Sequence, residues 1–194
     1  MISRFRIAPV GDMLTTDVTT AEIKEAKRLR KERDKRGAGQ DLTKNRWIGV
    51  LGEIIFGEYL DYLGVDAIWY RDNDFHHDFT IGELKIDTKT QTGNWPVKPG
   101  YAMNVSERQV RAEPGDYFFM HFEKPRQVLW LCGSIPRWEF IKQAGRAHKG
   151  RSFPGNPEAT CSLDVRFIQQ KALLSPSEWS CSLPSDAFPG LGQF

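Results

Sequence analysis

Two aspartates and a lysine with strand-like spacing are the clearest chemical signal in this sequence. They lie within residues 76–91, which are HHDFTIGELKIDTKTQ. Gly82 is the first residue of a two-residue turn between two segments in which apolar and polar residues alternate. Glycine at the first turn position favours a type II′ hairpin. A hairpin with this turn pairs Asp78 with Asp87, and Lys89 follows on the same face of its strand. We therefore expect two carboxylates and an ammonium group to meet at one point on a sheet.

Such an arrangement is suited to metal-assisted phosphate chemistry. Carboxylates paired across two strands have Cβ atoms about 5 Å apart and repel each other. A divalent cation between Asp78 and Asp87 would convert this repulsion into binding, and Mg²⁺ prefers oxygen ligands. A metal ion and a lysine can together activate water and stabilise a phosphate transition state. Replacement of either aspartate by asparagine is expected to stop cleavage of the phosphate ester and to leave the fold intact.

Alternation along the two strands assigns their side chains to two faces. The buried face is predicted to hold Phe79, Ile81, Leu84 and Ile86. The exposed face is predicted to hold His76, Asp78, Thr80, Lys85, Asp87, Lys89 and Gln91. A simpler interpretation is a solvated face on which two lysines balance Asp87, but it gives no reason for an opposed aspartate. A competing triplet, Glu83-Leu84-Lys85, lies in the turn and lacks such a partner.

A mostly apolar helix is predicted at residues 44–63, before the hairpin, and it contains Glu53. An unpaired charge there is costly, and the neighbouring Gly52 is one of three glycines in a helix interior, each costing about 1 kcal/mol. Close approach of the helix to the sheet would explain the glycines and direct Glu53 to the metal. The alternatives are a helix-packing seam in which Glu53 reaches solvent or pairs with Arg46. Glu58 is the second candidate for the ligand.

The remaining pattern predicts an α/β fold. Strands are expected at residues 67–70, 77–81, 84–91, 117–122, 128–132 and 165–170. Helices are expected from Thr19 or Thr20 to 36, at 44–63, at 106–111, from 134–136 to 145, and from the capping box at Ser175. Residues 145–160 are rich in Gly, Pro and basic residues and are predicted to be a loop. We divide the chain into a basic N-terminal helical arm (1–40), a central domain (41–182) and an irregular C-terminal tail (183–194).

Positive charge is concentrated in one segment. Residues 24–36 hold eight basic and three acidic side chains, whereas the whole chain has a formal net charge of +2. Segregated positive charge is typical of a surface that faces phosphates, although a solvated charged helix has the same composition. The residues predicted to contact DNA are Lys24, Lys27, Arg28, Arg30, Lys31 and Arg33, together with Trp95 and Lys98.

These residues resemble the PD-(D/E)XK nuclease superfamily, which includes restriction endonucleases, Holliday-junction resolvases and phage-type exonucleases. The family core is a helix, three strands, a helix and a strand (αβββαβ) with a mixed central sheet, and residues 43–132 match that order. In the resemblance, Asp78 is the first motif aspartate, although a histidine rather than a proline precedes it. Asp87-Thr88-Lys89 corresponds to the (D/E)-X-K triplet.

The resemblance also implies roles for individual residues. Glu53 would be the family's helix glutamate, Gln91 its glutamine, and the backbone carbonyl of Thr88 an additional metal ligand. The implied ligands of Mg²⁺, for which Mn²⁺ can substitute, are Asp78, Asp87, Glu53 and Thr88. The implied catalytic residues are Asp78, Asp87, Lys89, Glu53 and Gln91. The implied activity is phosphodiester hydrolysis in DNA recombination, repair or processing. The small, single-domain size of the chain favours a phage origin. The resemblance does not decide between endonuclease and exonuclease action, and it does not identify the DNA structure that is cut.

Other features limit the class of protein. The three cysteines are far apart and form no CxxC pair, which favours a reducing cytoplasm, the host's if the chain is phage-encoded. No stretch approaches the roughly 18 apolar residues of a membrane-spanning helix, and we expect no signal peptide. The resemblance also implies a homodimer, because family members that cut both strands often pair. The alternative function is a non-catalytic DNA-binding module, which leaves the acidic pair without a purpose.

Overall fold

The computed structural model describes residues 4–35, 47–70, 77–110, 113, 115–153 and 156–188. Its α-helices are α1 (Thr20–Lys35), α2 (Trp47–Leu63), α3 (Arg137–Gln143) and α4 (Pro176–Ser182). Its strands are β1 (Arg6–Ile7), β2 (Leu14–Asp17), β3 (Ile68–Trp69), β4 (Phe79–Ile81), β5 (Leu84–Gly93), β6 (Ala102–Ser106), β7 (Asp116–Glu123), β8 (Val128–Pro136), β9 (Gly145–Ala147), β10 (Ser152–Phe153), β11 (Asn156–Thr160) and β12 (Val165–Gln169).

The main feature of the fold is a seven-stranded mixed sheet with the order β1-β2-β8-β7-β5-β4-β3. Strands β5 and β7 pair in parallel, and the other neighbours in this sheet are antiparallel. The chain between β5 and β7 includes β6, which joins β12 and β9 in a separate antiparallel sheet. The predicted α/β class with a mixed central sheet is therefore confirmed.

Apolar side chains cover both faces of the large sheet. On one face, the ring of Phe56 on α2 packs against Phe118 of β7 and Trp179 of α4. On the other face, Phe119 of β7 packs against Phe140 of α3. Adjacent residues of β7 thus enter different cores, which explains why that strand is almost continuously apolar.

Helix α2 approaches β5 closely at Gly52. A Cβ atom built on Gly52 would lie 1.8 Å from Thr90 Oγ1 and 3.0 Å from Met120 Cε, so a side chain does not fit without displacement. The close approach predicted from the glycines of this helix is confirmed at Gly52. At Gly49 a Cβ atom would meet nothing within 4 Å, so that glycine has no such reason.

Two predicted elements differ in the structure. The helix expected at residues 106–111 is only a 3₁₀ turn at Glu107–Gln109, because no side chain caps its start and Val110 returns to an extended conformation. The loop expected at residues 145–160 instead contains β9, β10 and β11. Strand β9 pairs with β12, with Ala147 opposite Val165, and this distant partner overrides the loop-forming local composition.

The two ends of the described chain belong to the same fold as its centre. Strand β2 pairs with β8 in the large sheet, and α1 packs against α2, so the boundary predicted at residue 40 does not separate an arm from a domain. At the other end, Ala187 is buried and its carbonyl accepts a hydrogen bond from the N–H of Asp66. The part of the predicted irregular tail at 183–188 therefore packs onto the fold, and the rest of that tail lies outside the described residues.

Candidate functional site

The hairpin that carries the acidic residues has the predicted turn. Gly82 has a φ of +55°, and Ile81 pairs with Leu84 on either side of the two turn residues. Phe79 pairs with Ile86, and the side chains of Phe79, Ile81 and Ile86 are buried, as alternation predicted. The sequence therefore predicted the turn and the register between Phe79 and Ile86 correctly, whereas Leu84 of the predicted buried face is only half-buried.

Asp78 departs from the predicted alternation. The N–H of Asp78 donates to the carbonyl of Ile86, the residue that already pairs with Phe79. Two residues of one strand thus oppose one residue of the other, which is the pattern of a β-bulge, an irregularity that redirects side chains. The carboxylate of Asp78 consequently lies beside Thr88, whose N–H and hydroxyl each donate to Oδ2 at 2.7 Å. The predicted pairing of Asp78 directly with Asp87 is replaced by this contact.

The surroundings of Asp78 disfavour the ionised form of its carboxyl group. Burial, and then the negative charges of Glu53 and Asp87, raise its pKa to about 8, while Lys89 and the hydrogen bond from Thr88 lower it. Among the residues that the structure describes, no basic side chain forms an ion pair with Asp78. Within the described residues, the ionised form of Asp78 therefore has no ion-pair partner, and burial together with two nearby negative charges disfavours it.

Asp87 has the opposite surroundings. It is 8% exposed, and its Oδ1 lies 2.7 Å from Lys89 Nζ. Its Oδ2 lies 3.8 Å from a guanidinium nitrogen of Arg137, a fully buried residue at the start of α3. Lys89 also lies over the ring of Tyr117, 5.7 Å from its centroid. The predicted neighbours Asp87 and Lys89 are therefore in direct contact.

Arg137 is a residue of this cluster that the sequence did not reveal. The available signal was its place in the first turn of α3, directly after Pro136. A positive charge at a helix N-terminus is unfavourable to the helix dipole. A basic residue there indicates a specific acidic partner, but it does not identify that partner.

Glu53 is buried and already occupied. Both of its carboxylate oxygens accept hydrogen bonds from Arg33 of α1, at 2.7 and 2.6 Å, and Trp69 Nε1 donates to the second at 3.0 Å. The structure thus supplies a partner for the buried charge, but the partner is Arg33 rather than the Arg46 considered from the sequence. Glu58, the second candidate for the ligand, forms an ion pair with Arg4.

Gln91 forms its hydrogen bonds within the protein, and only one of the two adjacent histidines is described. The amide of Gln91 donates to the carbonyl of Ala102 at 3.0 Å and accepts from Asn104 at 2.7 Å, so it joins β5 to β6. His76, predicted for the active face, lies outside the described residues. His77 instead shares a hydrogen bond with Thr80, and burial together with the charges of Lys85 and Arg137 lowers its pKa.

The basic helix is only partly available to an external anion. Lys24, Lys27 and Lys31 are exposed, and Lys27 also lies over the ring of Trp47 at 5.0 Å. Arg28 pairs with Glu25 and Glu32. The prediction that Arg33 contacts DNA does not agree with the structure, because Arg33 is 5% exposed and bound to Glu53.

Three other predicted contacts lie in and beyond this helix. Arg30 is half-buried and pairs with Asp34, so part of its charge is balanced within α1. Trp95 and Lys98 are exposed in the segment that follows β5. They remain available to a partner at the surface.

The carboxylates of this cluster fit the expected Mg²⁺ only in part. Within the described ranges, no three His, Cys, Asp or Glu side chains form a group that could hold a metal ion. Mg²⁺ commonly takes one or two protein carboxylates and completes its shell with water. The carboxylates of Asp78 and Asp87 meet that number, although Asp87 pairs with Lys89 and Glu53 is bound to Arg33 in this conformation.

Comparisons with known proteins add no family to these observations. No protein-family model matches the chain, and no curated protein or solved structure shows significant similarity to it. Among the helices of the described residues, none has the length and apolar character needed to cross a membrane.

Proposed function

We propose that this protein is a Mg²⁺-dependent deoxyribonuclease of the PD-(D/E)XK type with a restriction-endonuclease-like fold. The order of α2, β3, β4, β5 and then β7 supports the proposal, because it follows the family core except for the helix before its last strand. The tight hairpin and the Asp87-Thr88-Lys89 triplet on β5 support it as well.

One observation carries the proposal: Asp78 is a buried carboxyl group that interacts with the negative charges of Glu53 and Asp87 and forms no ion pair with a described residue. Such a group is costly to keep ionised. A divalent cation shared with Asp87 would supply the missing charge, and it would provide Lewis-acid activation of water and phosphate.

The residues of the chain have distinct proposed roles. Asp78 and Asp87 would hold the ion, and the backbone carbonyl of Thr88 would be a further oxygen ligand. The ammonium group of Lys89, held by Asp87 at 2.7 Å, donates to the attacking water or to a phosphate oxygen. Glu53 of α2 adds a negative charge near Asp78. Gln91 joins β5 to β6 by hydrogen bonds and does not contact substrate.

A cleavage assay tests the proposal. Wild-type protein is incubated with duplex, single-stranded and branched DNA in Mg²⁺ or Mn²⁺, and then with a chelator. We expect metal-dependent cleavage of at least one substrate, and a loss of about 100-fold or more in Lys89→Ala, since charge stabilisation of this kind contributes on that scale. Lys85→Ala, on the same strand and the same predicted face, is the matched control and should cut as the wild type does.

A non-catalytic DNA-binding module is the second candidate. The ion pairs Arg33–Glu53 and Lys89–Asp87 favour it, because they neutralise two of the three carboxylates without any metal. DNA binding without cleavage under every metal condition would support this candidate and exclude the nuclease. A homodimer in the cytoplasm is part of the nuclease proposal, and light scattering of the purified protein measures its oligomeric state.

A further inference from the structure

Arg137 is an ionised side chain that the fold buries completely. It has 0% exposure and is among the largest fully buried side chains of the described residues. Its backbone N–H donates to the carbonyl of Gly115 at 2.9 Å, and its guanidinium carbon lies 5.3 Å from the centroid of the Tyr117 ring. The start of α3 is thereby held against the N-terminal end of β7.

The guanidinium of Arg137 lies between two acidic residues from different parts of the chain. One terminal nitrogen is 3.8 Å from Asp87 Oδ2, and the other is 3.5 Å from Glu113 Oε2. Lys89 contacts the other oxygen of the Asp87 carboxylate, so that carboxylate has a cation on each side. Both contacts are longer than an ordinary hydrogen bond, so the guanidinium acts on both carboxylates mainly through its charge.

Burial of a charge is unfavourable unless neighbouring charges compensate for it, and a buried ion pair is often no more stable than apolar residues of the same volume. Stability is therefore a weak explanation for an arginine at this place. The contacts of Arg137 fall on the one aspartate of the hairpin that has basic partners, and on an acidic residue, Glu113, that remains 43% exposed at the side chain.

We infer that Arg137 is a positioning residue for the metal centre. Its charge lies beside Oδ2 of Asp87 and would hold that carboxylate in place for the ion, and the same guanidinium pairs with Glu113. Arg137 itself is too deeply buried to contact substrate. This inference rests on the proposed nuclease function, in which Asp87 is a metal ligand.

The test compares Arg137→Gln and Arg137→Lys with the wild type. Mn²⁺ binding is measured by calorimetry in the absence of DNA, and cleavage is measured as a function of Mg²⁺ concentration. Loss of a group that orients a metal ligand typically weakens metal affinity or activity by about 10- to 100-fold. We expect Arg137→Gln to weaken Mn²⁺ binding on that scale and to shift the Mg²⁺ dependence to higher concentration, with partial rescue in Arg137→Lys.

Glu123→Gln is the matched control. Glu123 is 2% exposed, accepts a hydrogen bond from Trp130 and pairs with Arg126, so its replacement also disturbs a buried charge on β7. It should lower the melting temperature without a change in Mn²⁺ affinity. A purely structural role for Arg137 predicts the same behaviour in both glutamine variants.

The outcomes separate the two proposals. A wild type that binds Mn²⁺ and cuts DNA, with a folded Arg137→Gln of unchanged metal dependence, overturns the role of Arg137 alone. If Arg137→Gln does not fold, unchanged Mn²⁺ affinity in folded Arg137→Lys overturns that role equally. A wild type without metal binding and without cleavage overturns the nuclease proposal, and the positioning role with it.

Discussion

Asp78 and Asp87 have different electrostatic surroundings, although the sequence presents them as an equivalent pair. Asp87 lies between Lys89 and the buried Arg137, whereas Asp78 receives hydrogen bonds from the neutral Thr88. The sequence led us to expect that asparagine at either position leaves the fold intact. The structure gives a separate expectation for each position.

Asp78→Asn should raise the melting temperature of the metal-free protein at neutral pH, because it removes a carboxyl group whose ionised form is disfavoured. Asp87→Asn should lower stability by about 3 kcal/mol, because removal of one partner leaves a buried guanidinium with less compensation. Thermal melts of both variants in chelator measure the difference. Equal shifts in the same direction would contradict it.

Asp78 should also make the stability depend on pH. Its pKa is about 8 in the fold against 3.8 for the free side chain, so the folded protein retains a proton that the unfolded chain releases between these values. The free energy of unfolding therefore falls as the pH rises through this range. Denaturant titrations at several pH values should give a steeper decline for the wild type than for Asp78→Asn. Mg²⁺ should restore the stability of the wild type mainly at the upper end of this pH range. Parallel pH profiles of the wild type and Asp78→Asn would exclude this explanation.

At the scale of elements, the site depends on how closely α2 lies against β5. Gly52 allows that approach, and α2 also brings Glu53 to the interior, where Arg33 of α1 binds it. The close contact at Gly52 thus joins α2 to β5, and a buried ion pair joins α2 to α1. This arrangement explains why a charged residue is tolerated in an apolar helix.

Two glycines of α2 provide a direct test of this packing. Gly52→Ala should destabilise the protein by about 2–3 kcal/mol, since its Cβ would overlap Thr90 Oγ1 in a packed interior. Gly49→Ala should stabilise it by up to about 1 kcal/mol, because alanine is the better helix former and the space is open. Denaturant unfolding measures both values. A stabilising Gly52→Ala would mean that α2 lies farther from β5.

At the scale of the whole molecule, fewer basic residues of α1 are available at the surface than the sequence suggests. Arg33 is buried, and Arg28 and Arg30 pair with acidic residues of their own helix. The exposed lysines Lys24, Lys27 and Lys31 remain on α1. They are the residues of this helix best placed to attract a phosphate backbone.

Replacement of Lys24, Lys27 and Lys31 by glutamine should weaken DNA binding and flatten its salt dependence. Each phosphate contact contributes about 0.9 to the slope of log K against log salt concentration, so three lost contacts reduce the slope by about 2.7. Binding titrations at several salt concentrations measure that slope. Glutamine at Lys124, Lys142 and Lys171, which are exposed on other parts of the chain, is the matched control. An identical slope for both triple variants would remove α1 from the binding surface.

Local physics determined much of this protein from its sequence. The glycine turn at 82, the buried alternation around it and the caps of α1 and α4 depend on residues within a few positions of each other. The backbone preferences and the hydrogen bonds that form these features involve only residues of the same short segment. The same locality explains why the order of strands and helices around the hairpin was predicted well.

Tertiary structure alone decided the partners of the charged groups. Arg33 is 20 residues from Glu53, and Arg137 is farther still from Asp87, so no local pattern connects either pair. The bulge at Asp78 and the pairing of β9 with β12 likewise depend on hydrogen bonds to separate strands. An ion pair or a strand pair forms where packing brings two distant segments together. The sequence therefore indicated which residues have suitable chemistry, and the fold decided which of them form ion pairs. Among the described residues, Asp78 forms none.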